Sequence, residues 1–244
     1  MASPEFLQRV FARPLALGFA LLLGGPLAAS TGLAPPLVGF GMYVLGGLLT
    51  GVAGVVGAGL VRRAGGAWGI LLGSGLLGLA LVLGPAVAGG SAPPINDIST
   101  DTSDPPPIDS LRTLDGVGLD MSYDPGVAAI TREAYGDVVG FTLDASPKLA
   151  SDRAQRCLTD LGGRRVTGAA PPDEPGPVEL LVQATFVTSV FGFHDDVVLR
   201  LRTEGRGSRV DVRSKSRDGK GDLGANAKRI RAISDCMTNE AAPG

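Results

Sequence analysis

The sequence predicts an α+β soluble domain, an antiparallel sheet with two helices packed on one face, preceded by an all-α transmembrane bundle of two to three helices. Three features carry that reading: long uncharged apolar stretches near the N-terminus, strict apolar/polar alternation between residues 178 and 216, and helical apolar stripes on either side of it. The charges divide the same way. Of 22 basic and 24 acidic side chains, only Arg9, Arg13, Arg62, Arg63 and Glu5 fall within residues 1–90. We therefore divide the chain into a membrane region, 1–90, and a soluble domain, 91–244. A net charge of −2 does not favour nucleic acid as a partner.

The apolar stretches run over residues 15–33, 37–61 and 67–88. Each is close to the ~20 residues that cross a hydrocarbon core as a helix, and none carries a charge. Gly24, Gly25 and Pro26 interrupt the first. Arg9 and Arg13 precede the first stretch and Arg62 and Arg63 separate the second from the third, so the positive-inside rule puts both places in the cytoplasm. Three crossings leave the soluble domain outside, periplasmic or extracellular, anchored to the inner (cell) membrane. A competing reading makes residues 1–30 a cleaved signal peptide, with Ala28, Ala29 and Ser30 at the cleavage site. It lowers the helix count to two and keeps the domain on the same side.

Small residues four apart, Gly47 and Gly51, then Gly65, Gly69 and Gly73, let helix backbones approach closely in lipid. A hairpin within one chain is the expected use, and an oligomer through the Gly-rich helices is the alternative. No ionisable residue lies within a span, which argues against an ion or proton pathway.

Residues 91–126 are rich in Pro, Asp, Ser and Thr, and their composition reads as an extended linker. Regular structure is expected from Ser146, a helix cap followed by Pro147 at the first turn. Ala150, Ala154, Cys157, Leu158 and Leu161 share a face of that helix. A short strand is expected at 164–167, and a loop at 171–177. Three strands follow, over 178–190, 196–203 and 208–216. Leu180, Val182, Ala184, Val197, Leu199, Leu201, Val210 and Val212 point inward. Arg200, Arg202, Arg209, Asp211, Arg213 and Lys215 point to a solvated face. The last helix is expected from Asp222 to about Thr238, burying Leu223, Ala227, Ile230, Ile233 and Met237.

Three motifs resemble one family. Pro93-Pro94-Ile95-Asn96-Asp97-Ile98-Ser99-Thr100-Asp101, with Asp104-Pro105-Pro106, is similar to the opening of the uncharacterised bacterial and plastid family called domain of unknown function 1499. Phe191-Gly192-Phe193 with Asp195-Asp196-Val197-Val198 resembles its central motif. The third is Val210–Arg217 running on through Gly219–Asn226 to Arg229-Ile230-Arg231. Residues 134–140 are looser than the family's pattern. The resemblance implies that the Pro-rich opening belongs to the folded domain, and it implies no catalytic residue.

Candidate chemistry is sparse. Gly219-Lys220-Gly221-Asp222-Leu223-Gly224 has the G-x-G-x-x-G form, but a dinucleotide fold needs a further parallel strand after the helix, so no nicotinamide cofactor is expected. The helix start beside Arg213, Lys215, Arg217, Lys220, Gly221 and Asn226 is a candidate corner for an anionic ligand. Asp222 capping the same N–H groups competes with that use, as does pairing of the basic strand with the acidic front half of the domain. Asp97, Asp101, Asp104, Asp195 and Asp196 form a candidate acidic cluster for hydrolase chemistry or a hard cation, although nothing in their spacing resembles a calcium loop and Asp next to Ser or Pro more often caps turns. His194 is the single histidine. A multi-histidine metal site is therefore ruled out, and no other metal site is expected. Cys157 and Cys236 lie on the two helices in a compartment that tolerates disulfides, and both a bridge and two buried thiols fit the sequence.

The expectation is a membrane-anchored extracytoplasmic binding or accessory module rather than an enzyme. Its partners would be the lipid bilayer and an envelope protein or anionic ligand. A hydrolase using the clustered Asp residues and a structural subunit of a membrane assembly are the alternatives.

Overall fold

A computed structural model describes residues 2–108, 123–168 and 178–239. The expected loop at 171–177 lies outside them. The chain divides into two compact units, residues 1–90 with 188–192, and residues 91–187 with 193–244.

The first unit is helical. It contains α1 (Pro4–Ser30), α2 (Pro36–Arg63) and α3 (Gly69–Ala88), each long and apolar enough to cross a membrane. The α1 helix begins well before its apolar stretch because Ser3 caps it, accepting from the Phe6 N–H, and Pro4 suits the first turn. Glycine sets the packing distance between α1 and α2. A Cβ on Gly25 would overlap the Gly39 carbonyl oxygen, and one on Gly39 would overlap that of Gly25. On α2, Gly47, Gly51 and Gly54 meet Val82, Leu79 and Gly75 of α3, so they serve a hairpin within the chain, whereas Gly69 and Gly73 face open space. Pro85 cannot donate to the Leu81 carbonyl one turn earlier. The Tyr43 hydroxyl of α2 donates to that carbonyl instead. Leu23, Leu27, Ile70 and Leu83 face outward, as lipid contact requires. Phe191 of the 188–192 turn belongs to this unit, its ring edge-on to Phe40 at 5.3 Å and to Tyr43 at 5.5 Å.

The second unit is the α+β domain. Its strands are β1 (Asp97–Ser99), β2 (Phe141–Leu143), β3 (Arg164–Gly168), β4 (Glu179–Val187), β5 (His194–Glu204) and β6 (Gly207–Ser216). They form one antiparallel sheet in the order β1-β6-β5-β4-β3, with β2 following β1 along the same edge of β6. The helices are α4 (Pro125–Ala134), α5 (Pro147–Asp160) and α6 (Ala225–Asn239). The Ser146 side chain caps α5 through the Leu149 N–H. Asp222 caps the start of α6, accepting from the Gly224 and Asn226 N–H groups.

Cross-strand pairing puts Leu180, Leu201 and Val210 in one row and Val182, Leu199 and Val212 in the next, all on one face. Ala150, Ala154 and Leu158 of α5 and Ala227, Ile230, Ile233 and Met237 of α6 cover that face, forming one buried core. Fully burying a Leu or Ile there contributes about 1.5–3 kcal/mol. Cys157 and Cys236 form a disulfide between α5 and α6, with a Cα–Cα distance of 5.9 Å.

Two sequence expectations are corrected here. Residues 91–126 do not behave as a linker where described. Asp97–Ser99 is a paired strand, and residues 125–134 form α4, capped by Asp124, which accepts from the Gly126 N–H. The second correction concerns the sheet face opposite α5 and α6, which is not solvated: Asp196 and Asp211 are 0% exposed, Arg213 1% and Arg200 3%. Alternation places these side chains on the polar face correctly. It is blind to the Pro-rich segment laid over them.

Candidate functional site

The covered polar face brings together most of the residues singled out in the sequence. Strand register arranges it in rows. Asp97, Lys215, Asp196 and Thr185 lie side by side; so do Ser99, Arg213, Val198 and Gln183; Asp211 faces Arg200, and Arg209 faces Arg202.

Each charge in this array has a partner. Arg213 holds Asp97 with two parallel hydrogen bonds, Nε to Oδ1 at 2.9 Å and Nη2 to Oδ2 at 2.7 Å. Its guanidinium also donates to the Pro106 carbonyl at 3.3 Å and lies 5.1 Å from the centre of the Tyr123 ring. Lys215 Nζ is 3.1 Å from the same Asp97. Arg217 forks onto Asp196, Nε to Oδ2 at 2.8 Å and Nη2 to Oδ1 at 2.7 Å, and Thr185 donates to Oδ1 at 3.1 Å. Arg200 contacts Asp101, Asp104 and Asp211, and Arg202 and Arg209 also reach Asp211.

The Pro-rich opening supplies acceptors for this array. A chain of this composition has few backbone donors of its own, so its carbonyls are open to guanidinium groups. Arg200 donates to the Asp104 carbonyl at 2.7 Å, and Asp101 forms a turn by accepting from the Ser103 and Asp104 N–H groups. Burial pushes the Asp101 carboxyl upward. Hydrogen bonds from the Ser103 hydroxyl and the two N–H groups, with the Arg200 charge, outweigh it and hold the group below 3.8.

Asp195 and Asp196 do not form a carboxylate pair. Adjacent strand residues point to opposite faces, and Asp195 lies on the helix side, where Arg229 of α6 holds it at 2.6 Å. Arg229 also donates to Ser214 and Asn226 and sits 4.9 Å from the Phe186 ring centre. Asn226 is fully buried: its amide donates to the Asn96 carbonyl and the Ser216 hydroxyl, while the Ser214 hydroxyl donates to its oxygen. It locks α6 to the ends of β1 and β6. Of the candidate ligand-binding residues, Lys220 and Gly221 stay exposed.

The C-terminal end of α4 holds a residue that was not a candidate in the sequence. Tyr135 is 8% exposed, and its hydroxyl has no hydrogen-bond partner among the described residues. Burial, then the Asp222 charge, raise its pKa, so the hydroxyl is a firm donor. No group of His, Cys, Asp and Glu among the described residues could hold a metal ion.

The family model described as "Protein of unknown function (DUF1499)" matches residues 97–237. The chain belongs to this family. The matched span of the DUF1499 domain begins at Asp97, the first residue of β1, and ends at Met237 in the last turn of α6. It therefore takes in the Asp97–Arg213 pair, the disulfide and the whole sheet. No curated protein and no solved structure matches the chain.

Arg200, Arg229 and Asp211 were not singled out in the sequence as site residues, although each completes an ion pair. For Arg200 and Asp211 the signal was present. Opposite charges on the same face of neighbouring strands are expected to meet.

Proposed function

We propose that this DUF1499 chain is a membrane-anchored extracytoplasmic accessory module, with a rigid domain that presents a surface rather than an active site. The observation that carries the reading is the internal use of its charges. Arg213, Lys215, Arg217, Asp97, Asp101, Asp195 and Asp196 are each already paired within the domain. A catalytic carboxylate or an anion-binding arginine needs capacity left for a substrate. Here the capacity is spent on holding the Pro-rich opening and α6 to the sheet.

The extracytoplasmic side is supported by the arginines at the N-terminus and between α2 and α3, and by a disulfide, which persists in oxidising compartments. The hydrolase alternative is not supported by the separation of Asp195 and Asp196 onto opposite faces. Any anionic ligand or envelope partner would meet the exposed loop at Lys220 and Gly221 rather than the basic strand behind it.

The test is a turnover assay of the purified full chain against a panel of phosphate and carboxylate esters. No turnover above background is expected. Hydrolysis that disappears in D101N or D196N, with the protein still folded, would overturn the proposal.

A further inference from the structure

Helix packing within the first unit puts an arginine deeper than the apolar pattern of the sequence implies. The α1 helix runs antiparallel to α2. A Cβ on Gly46 would overlap the Gly18 carbonyl oxygen, and one on Gly57 would lie 2.8 Å from the Phe11 ring. Arg13 follows Phe11 by two residues toward the middle of the bundle, so it is level with Val55 and Val56 of α2. Arg62 lies more than a turn beyond Gly57 in the other direction. Arg13 therefore sits roughly 10 Å deeper than Arg62, at a rise of about 1.5 Å per residue.

The boundary of the bilayer is set by α3. Its 20 residues span about 30 Å, the thickness of a hydrocarbon core, so its whole length is needed to cross. It begins at Gly69, directly after Trp68, and the Arg62 guanidinium lies 5.3 Å from the centre of the Trp68 ring. An arginine on a tryptophan suits the headgroup level. Arg13 then lies on the apolar side of that level, where Val55 and Val56 are exposed as lipid-facing residues are.

Arg13 also points away from the bundle. The buried residues of α1 are Leu15, Gly18, Leu22, Gly25 and Ala29, and Arg9 and Arg13, one turn apart, occupy the opposite side. Exposed Val10 and Leu17 flank Arg13. Neither arginine has an ion pair or side-chain hydrogen bond among the described residues. Glu5, the single acidic residue within residues 1–90, pairs with neither. The positive-inside rule accounts for Arg62 and Arg63 at the end of α2, but not for an unpaired guanidinium facing lipid a turn and a half further in. A charge so placed is costly and calls for a partner.

We infer that Arg9 and Arg13 form a binding site for the phosphate of an anionic phospholipid, whose acyl chains lie along Val10 and Leu17. Guanidinium forks match phosphate oxygens two at a time. Arg13 extends outward along α1 while the headgroup is drawn inward to meet it, and Arg9 supplies a second fork from one turn nearer the surface. Two cations without a counter-ion favour an anionic headgroup over a choline one, whose own cation they repel. The inference rests on the membrane-anchored reading above and concerns the helices alone.

The experiment uses the full chain in phosphatidylcholine vesicles containing phosphatidylglycerol, with bromine on the acyl chains of one lipid or the other. Trp68 is replaced by Phe. A single Trp is placed at Leu17, one turn beyond Arg13 on the same side of α1, or at Val56, the lipid-facing control at the same depth on α2. Quenching as a function of the brominated fraction gives the local preference for phosphatidylglycerol. At 17 it should be about fivefold or more, the effect of one basic residue near an anionic headgroup, and at 56 close to onefold. R13Q should remove most of the preference at 17, and R62Q should leave it in place. V10W repeats the measurement on the other side of Arg13 if L17W misfolds. Equal preference at 17 and 56, or a preference at 17 that survives R13Q, overturns the lipid site and leaves the anchor standing. A chain that does not float with the vesicles overturns the anchor as well.

Discussion

Arg213 and Asp97 meet as a two-pronged ion pair joining the central strand β6 to the edge strand β1, and both side chains are almost completely shielded from water. The pair spans 116 residues of sequence and ties the first strand of the domain to the last. Removing one member strands the other charge in a site that cannot hydrate it. D97N or R213M should therefore each cost about 3–5 kcal/mol. The triple variant D97L/R213M/K215M should recover much of that loss, since replacing Lys215 as well removes the second cation that Asp97 holds. Thermal unfolding of the detergent-solubilised full chain measures all three.

The Cys157–Cys236 bridge closes a loop spanning 79 residues. Loop-closure entropy assigns such a bridge about 4–5 kcal/mol. The oxidised chain should migrate faster than the reduced chain on a non-reducing gel. C157S and C236S should unfold at lower temperature by similar amounts, because either substitution opens the same loop.

In the membrane unit, Y43F removes the donor that serves the Leu81 carbonyl freed by Pro85. The expected loss is about 0.6–1.7 kcal/mol, the range for hydrogen bonds between helices in lipid. G25L should be far worse, since its side chain would overlap the Gly39 backbone. P85A in a Y43F background should restore stability by supplying the helix's own N–H. Resistance to denaturation by mixed detergent micelles separates these outcomes.

Stability should also fall in acid. The Asp101 carboxyl titrates below its ordinary 3.8 in the folded domain, so its contribution is fully present well above 3.8 and is lost as the pH falls below that value and through the lowered pKa of the folded state. D101N should remove part of this acid sensitivity while lowering stability at neutral pH. The pH dependence of the unfolding midpoint for both proteins provides the check.

The α+β class, the three long central strands and most of the stripes of α5 and α6 were legible because each is written in local periodicity, whereas Leu161 and Leu223, expected in those stripes, lie beyond the helix ends and are 38% and 56% exposed. Leu180, Leu199 and Ile230 could be assigned to the core from neighbours within a few residues. The cover over the polar face could not. Asp97 finds Arg213, and Asp104 finds Arg200, across about a hundred residues, and composition reads their Pro-rich surroundings as a linker. Family resemblance corrected that where local chemistry could not. The separation of Asp195 from Asp196 was in principle legible, since adjacent residues on a strand always diverge. The orphaned Tyr135 hydroxyl left no trace in sequence, because it depends on which atoms fail to arrive.

The most direct test of the account is the side of the membrane on which the domain lies. Alkaline phosphatase, active only outside the cytoplasm, and a fluorescent protein that matures only inside it can each be fused after Gly244 of the full chain. The account predicts an active phosphatase and a dark fluorophore. A bright fluorophore with an inactive phosphatase would place the domain in the cytoplasm, remove the setting in which the disulfide persists, and contradict the anchored extracytoplasmic module.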